Sequence, residues 1–154
     1  CRRSADPVGR LLLHLFGPND AKSQSLSDGI CSSLQLINHW QDVAVDWGKG
    51  RVYLPQDELA RFGITESQIA EGRWDAAWAA MMDFQIDRAR SMMAAGSPLV
   101  HELPGRIGLE LRLIVASGFR MLDKLQRVRG DVFRRRPVIA RRDWPGILLH
   151  AAFG

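Results

Sequence analysis

The sequence predicts an all-α protein, on three observations. No alternating run of β-branched residues appears, so no segment reads as a half-buried strand. Ala, Leu, Arg, Gln and Met recur throughout, and these side chains lose little freedom in a helix. Gly17-Pro18-Asn19-Asp20, Gly48-Lys49-Gly50 and Gly96-Ser97-Pro98 then punctuate long stretches with apolar residues at helical spacing. The length of 154 residues suits one domain, and 46% hydrophobic with 25% charged residues is a globular rather than a disordered composition. The longest uninterrupted apolar run, Leu113 to Phe119, falls far short of the roughly 18 residues of a membrane span.

The elements follow in order. Residues 4–16 read as a helix with Leu11, Leu12, Leu15 and Phe16 on one side. After the break at 17–20, a long helix is predicted from about Ser25 to Trp47, stopped by the two glycines at 48 and 50. Arg51 to Pro55 is irregular, and Gln56-Asp57-Glu58-Leu59 is an acidic helix start that complements the macrodipole. Thr65 and Gln68 have capping-box spacing. Further helices are predicted from about Trp74 to Ala95, from Pro104 to about Arg129, and near Ile147 to Ala152. Met81, Met82, Met92 and Met93 at helical spacing read as core.

Charge is unevenly placed. Lys and Arg number 21 against 17 acids, a net charge of +4, yet residues 23–48 hold no Lys or Arg. Seven arginines fall between Arg127 and Arg142 against one acid, Asp131, and read as a solvated basic tail. Cys1 and Cys31 have no metal-ligand spacing and cannot frame a set of disulfides, which points to a reducing compartment, the cytoplasm. The chain starts at Cys1 rather than Met, with no signal-peptide pattern, and reads as a piece of a longer chain cut on its N-terminal side. His14, His39, His101 and His150 are scattered and carry no assigned chemistry.

The informative stretch is the helix at 27–47. At about 100° per residue, Gln35, Asn38, Asp42 and Asp46 fall within an arc of about 80°. Asp28 projects onto the same stripe, which Trp40, Val43 and Trp47 flank on one side and Leu34 and Val45 on the other. Carboxylates four residues apart repel, and this segment has no basic residue of its own to pair them. A solvated helix face is the plain alternative; an apolar helix with a narrow acid and amide stripe instead suits a cavity holding a cation. Carboxylate and amide oxygens are hard ligands for Mg²⁺, which keeps waters and recruits phosphate oxygens. Directly after the stripe, Gly48-Lys49-Gly50-Arg51 offers a tight turn and two cations, either an ordinary helix end or a grip on a diphosphate.

At this point the residues resemble a known family. Leu34-Gln35-Leu36-Ile37-Asn38-His39-Trp40-Gln41-Asp42-Val43-Ala44-Val45-Asp46, with Lys49-Gly50-Arg51-Val52-Tyr53-Leu54-Pro55, resembles the second aspartate-rich region of the squalene/phytoene synthases. Cys1-Arg2-Arg3-Ser4-Ala5-Asp6-Pro7-Val8-Gly9-Arg10 resembles the family's Tyr-Cys-x-x-x-Ala-x-x-Val-Gly signature, and Leu122-Asp123-Lys124 and Arg135-Arg136-Pro137 fit as well. The wording is most similar to the hydroxysqualene synthases of the bacterial hopanoid pathway. The resemblance implies an isoprenoid synthase helical bundle with a central cavity, of which residues 1–154 are the C-terminal part of a single domain. It implies Mg²⁺ held by Asp42, Asp46 and Asn38, with Gln35 in support and Arg51 and Tyr53 on the substrate side. Ser4, Ala5, Val8 and Gly9 would form a small-residue wall beside the isoprenoid chain. Two positions depart from the family: Gln41 stands where many relatives carry Arg, and Phe119 where the late helix often carries Tyr.

The implied reaction converts presqualene diphosphate to hydroxysqualene with release of diphosphate. The alternatives within the family are head-to-head condensation of two farnesyl diphosphates and phytoene synthesis. A different class would be a basic helical module using the Arg127 to Arg142 cluster on nucleic acid or anionic lipid. No nucleic-acid-binding motif accompanies that cluster, so no nucleic acid is expected, while weak peripheral contact with the inner face of the membrane fits a lipid product.

Overall fold

Asp20 caps the helix around which the others assemble. Its carboxylate accepts from the Ser23 N–H at 2.9 Å, and α2 runs from Ala21 to Gln41. This start precedes the expected one because a side-chain cap, not the first apolar residue, opens the helix. The computed structural model describes residues 1–153; Gly154, the last residue of the expected 1–154 domain, lies outside them. Before α2 comes α1 (Ala5–Phe16) and after it the short α3 (Val43–Trp47), α4 (Gln56–Arg61) and α5 (Glu66–Ala70). Then follow α6 (Ala76–Gly96), α7 (Gly105–Arg127) and α8 (Trp144–Phe153), with single 3₁₀ turns at Ser97–His101 and Arg141–Asp143. Among the described residues there is no strand, and the all-α prediction stands.

Helices meet where side chains are small. A Cβ at Gly9 would collide with the Ser27 hydroxyl and come within 2.6 Å of Cys31 Sγ, so α1 lies close on α2. Against the same stretch of α2, a Cβ on Gly96 would stand 2.5 Å from the Leu26 carbonyl and 2.9 Å from the Ile30 nitrogen, so α6 crosses α2 backbone to backbone. Trp40, Trp78, Met81, Met82, Ile86, Met93, Leu122 and Leu125 fill the space between α2, α6 and α7 and are fully buried. Three of the four expected core methionines are among them, and Met92 is half-buried. Ile147 and Ala151 of α8 pack back on Ala116 of α7. At the start of α5 the capping box forms only halfway: Thr65 accepts from the Gln68 N–H, but the Gln68 side chain donates to the Arg73 carbonyl instead.

The backbone of the basic tail is strapped down, while its arginine side chains stay exposed to solvent as the charge pattern predicts. Arg129 and Gly130, with φ of 50° and 66°, reverse the chain after α7. Their carbonyls accept from the indoles of Trp74 at 3.0 Å and Trp78 at 2.9 Å. Val132 and Pro137 are buried further along. At the tail's end Asp143, 1% exposed, receives Lys124, Arg120 and the Ala140 N–H. Lys124 first, then the Ala140 amide and Arg120, hold its carboxyl well below the usual carboxylate range. Arg127, Arg129, Arg134, Arg135, Arg136, Arg141 and Arg142 are all exposed. Apart from the Ala140 amide, these anchors join residues far apart in sequence, so composition shows the exposed charges but not the strap.

Candidate active site

The acid stripe is built on two helices, not one. Asp42, with φ −105° and ψ 12°, leaves the helical region and joins the end of α2 to the start of α3, where the Asp46 N–H donates to the Asp42 carbonyl at 2.7 Å. The predicted continuous helix to Trp47 is corrected accordingly. Gln35, Asn38 and Asp42 keep their shared face, and α3 adds Asp46 within a turn. Asp42 now sits at the negative end of the α2 dipole, which adds to the demand for a cation there. Of the apolar flanks, Trp40 and Val43 turn into the core, whereas Val45 is exposed.

The pairing cations come from outside the segment. Arg136 of the tail donates through Nε to Asp42 Oδ1 at 2.7 Å, and Arg10 of α1 donates through Nε to Asp28 Oδ1 at 2.9 Å. The stripe is therefore not free of basic partners, as residues 23–48 alone implied, and Asp28 is committed to α1. Past α3, Gly50 at φ 69° makes the turn that lets the Lys49 and Arg51 amides both donate to the Asp46 carbonyl at 2.9 Å. That turn brings Asp46, Arg51, Tyr53 and His39 around one small recess. His39 stacks on Tyr53, ring centroids 4.0 Å apart and 20° from parallel, and burial pushes its imidazole pKa down. Its ring forms a flat face against which Tyr53 packs.

An apolar trough reaches the stripe at Asn38. One chamber of about 570 Å³ lies between α1, α2 and α7 and is lined by Val8, Gly9, Leu34, Leu103 and Ile114 among others. A second, of about 340 Å³, shares Leu34 and Ile114 with the first and ends at Asn38, Gln41 and Trp144. Val8 and Gly9 are thus wall residues, while Ala5 is half-buried behind them and lines neither chamber. Ser4 accepts from Gln35 Nε2 at 3.2 Å, and Gln35 Oε1 is buried without a partner. Phe119 lies against His150, centroids 5.7 Å apart, and does not border the trough, so the absent hydroxyl at that position is not missing from the cavity.

The donors fit a hard divalent cation. Asp42 and Asp46 offer carboxylate oxygens and Asn38 an amide oxygen, all hard donors, and the orphaned Gln35 acceptor lies on the same stripe. Among the described residues no three acid, histidine or cysteine side chains gather into one metal cluster, so phosphate oxygens and water would complete the shell. Two residues that serve this corner escaped the sequence reading. Arg136 sat in the tail taken as solvated, and Gln41 was noted only for lacking a charge, whereas it is buried and donates to the Pro137 carbonyl at 2.9 Å. No spacing rule could have joined positions 94 and 96 residues apart.

Comparison with known proteins places the arrangement. The squalene/phytoene synthase family model matches residues 1–143. A hydroxysqualene synthase of Rhodopseudomonas palustris is 35% identical over 128 residues, 82% of this chain and 44% of that protein. A 15-cis-phytoene synthase of Synechococcus elongatus is 34% identical over 122 residues, 79% of this chain and 39% of that protein. The crystal structure of squalene synthase HpnC from Alicyclobacillus acidocaldarius superposes with a TM-score of 0.80 at 36% identity, covering 84% of this chain and 49% of that one. The chain spans about half or less of the length of the proteins it matches. A shared fold, and a match that takes in the acid stripe, the trough wall and the tail strap together, make this chain a member of the squalene/phytoene synthase family, whose enzymes process prenyl diphosphates.

Proposed function

We propose that the chain carries the diphosphate end and one wall of the prenyl cavity in an enzyme that converts presqualene diphosphate to hydroxysqualene. The observation that carries this reading is the run of the apolar trough into the acid stripe at Asn38, one helical turn from Asp42. Asp42, Asp46 and Asn38 would hold Mg²⁺, with Gln35 oriented by Ser4. Bound there, Mg²⁺ supplies neutralisation of the charge that develops on the departing diphosphate. Arg51, returned to Asp46 by the Gly50 turn, takes the diphosphate oxygens, and Tyr53 is held beside it by His39. The prenyl chain lies along Val8, Gly9, Leu34 and Ile114, where apolar walls exclude bulk water from a carbocation.

The C–O bond to diphosphate breaks with its electron pair on the leaving group. The cyclopropylcarbinyl cation rearranges and takes one water molecule, which releases a proton, so the products are hydroxysqualene and diphosphate. Similarity at 35% to a hydroxysqualene synthase supports this branch, and similarity at 34% to a phytoene synthase supports condensation of two prenyl diphosphates as the second reading. Product analysis decides. Presqualene diphosphate with Mg²⁺ and no reductant should give hydroxysqualene. Turnover of geranylgeranyl diphosphate to phytoene, or of farnesyl diphosphate alone to presqualene diphosphate, would replace the first reading.

A further inference from the structure

Gln41 ties the end of α2 to the far end of the chain. It is 8% exposed, and its Nε2 donates to the Pro137 carbonyl at 2.9 Å across 96 residues. A proline carbonyl only accepts, so the side chain facing it must offer an N–H. Pro137 directly follows Arg136, and Gln41 directly precedes Asp42, the residue that Arg136 reaches at 2.7 Å. Two adjacent residues at one helix end thus grip two adjacent residues of the tail, one by the backbone and one by the side chain. The ion pair has little hold of its own, because its side chains are 50% and 32% exposed and solvent screens them. Arginine also loses considerable rotamer freedom on being placed. A buried backbone anchor one residue away reduces that loss and sets where the guanidinium stands.

We propose that Gln41 is a positioning residue: its bond to Pro137 places Arg136 beside Asp42, so the cation serving the acid stripe is delivered by the tail and not by α2. What the placed cation does rests on the diphosphate reading of the stripe; how it is placed does not. The family resemblance sets an Arg at this position, and a neutral amide there would otherwise count as a plain loss. Here the amide recruits a charge from elsewhere.

The test uses Gln41→Met, which keeps the length but loses the N–H, together with Arg136→Gln and the double variant. Two readouts are needed. The first is trypsin cleavage after Arg134 and Arg135, taken relative to cleavage after Lys22 so that global unfolding cancels. The second is calorimetric affinity for inorganic diphosphate in the presence of Mg²⁺. Gln41→Met should speed tail cleavage severalfold and weaken diphosphate binding roughly tenfold, as Arg136→Gln does, and the double variant should bind no worse than either single one. Additive losses in the double variant, parent-like affinity in Gln41→Met, or an unchanged cleavage ratio would each overturn the proposal. If the parent binds no diphosphate with Mg²⁺, the site reading falls by itself. The cleavage ratio then decides alone: a severalfold rise upholds Gln41 as the anchor and no change overturns it.

Discussion

Replacing Asp42 with Asn keeps the shape of the side chain and removes one unit of charge from the stripe. Turnover should fall by roughly a thousandfold, because metal-assisted departure of diphosphate is worth several kcal/mol. Repulsion between Asp42 and Asp46, taken alone, predicts a more heat-stable variant without metal. Arg136 alters that expectation, since neutralising Asp42 also removes an ion pair worth about 0–1 kcal/mol at this exposure. The metal-free melting temperature should therefore stay close to the parent's, while the stabilisation by Mg²⁺ plus diphosphate disappears. Melting curves with and without those ligands, alongside a diphosphate-release assay, check both halves; full turnover with an undiminished ligand shift would remove Asp42 from the site. Among the arginines, Arg51→Ala should impair diphosphate release strongly and Arg135→Ala, at an exposed position, only slightly. Equal losses would mean that the exposed tail arginines also belong to the site.

At the scale of elements, backbone contact between α2 and α6 makes Gly96 the least replaceable glycine of the pair Gly9 and Gly96. Gly96→Ala drives a methyl into the Leu26 carbonyl and the Ile30 nitrogen, neither of which can move without moving α2. A loss of about 1–3 kcal/mol is expected in urea unfolding. Gly9→Ala meets only the side chains of Ser27 and Cys31, which can turn aside, and should lose less. The strap from α7 to α8 carries its own pH signature. Asp143 ionises below its ordinary value in the fold, so its contribution is fully present above the unfolded carboxyl value of about 4 and is lost as pH falls from there toward the folded value. Asp143→Asn leaves Arg120 and Lys124 without their anion and should lower the melting temperature by several degrees at neutral pH. The gap between parent and variant should close as pH drops below about 4; a gap constant down to pH 2 would mean that the strap does not depend on the carboxylate.

For the whole molecule, the trough runs along an apolar wall as far as the stripe at Asn38, and it can be blocked without touching the stripe. Ile114 is 45% exposed and borders both chambers. Ile114→Trp should fill the junction, raise KM for a long prenyl diphosphate or abolish its turnover, and leave both the melting temperature and the affinity for inorganic diphosphate unchanged. A parallel loss of inorganic diphosphate binding would place the substrate elsewhere.

Sequence by itself determined the fold class, the helix spans to within a few residues and the members of the acid stripe. These follow from spacing along a helix, from caps and from glycine and proline breaks, all of which act over a few residues. The order Gln35, Asn38, Asp42 is legible because a helix converts spacing into a shared face, whereas Asp46 joins them from α3 across the break. Only the tertiary structure decided where the compensating charges come from. Arg10 reaches Asp28 from α1 and Arg136 reaches Asp42 from the tail, because ion pairs and buried amides join groups by distance in space. The same holds for the break at Asp42, the stacking of His39 on Tyr53, and the Trp74, Trp78 and Gln41 bonds that turn a basic tail into a strap. A sequence shows how many charges a segment holds. Which of them meet is set by the packing of α2, α6 and α7, where burial leaves each polar group a choice between a partner and a desolvation cost.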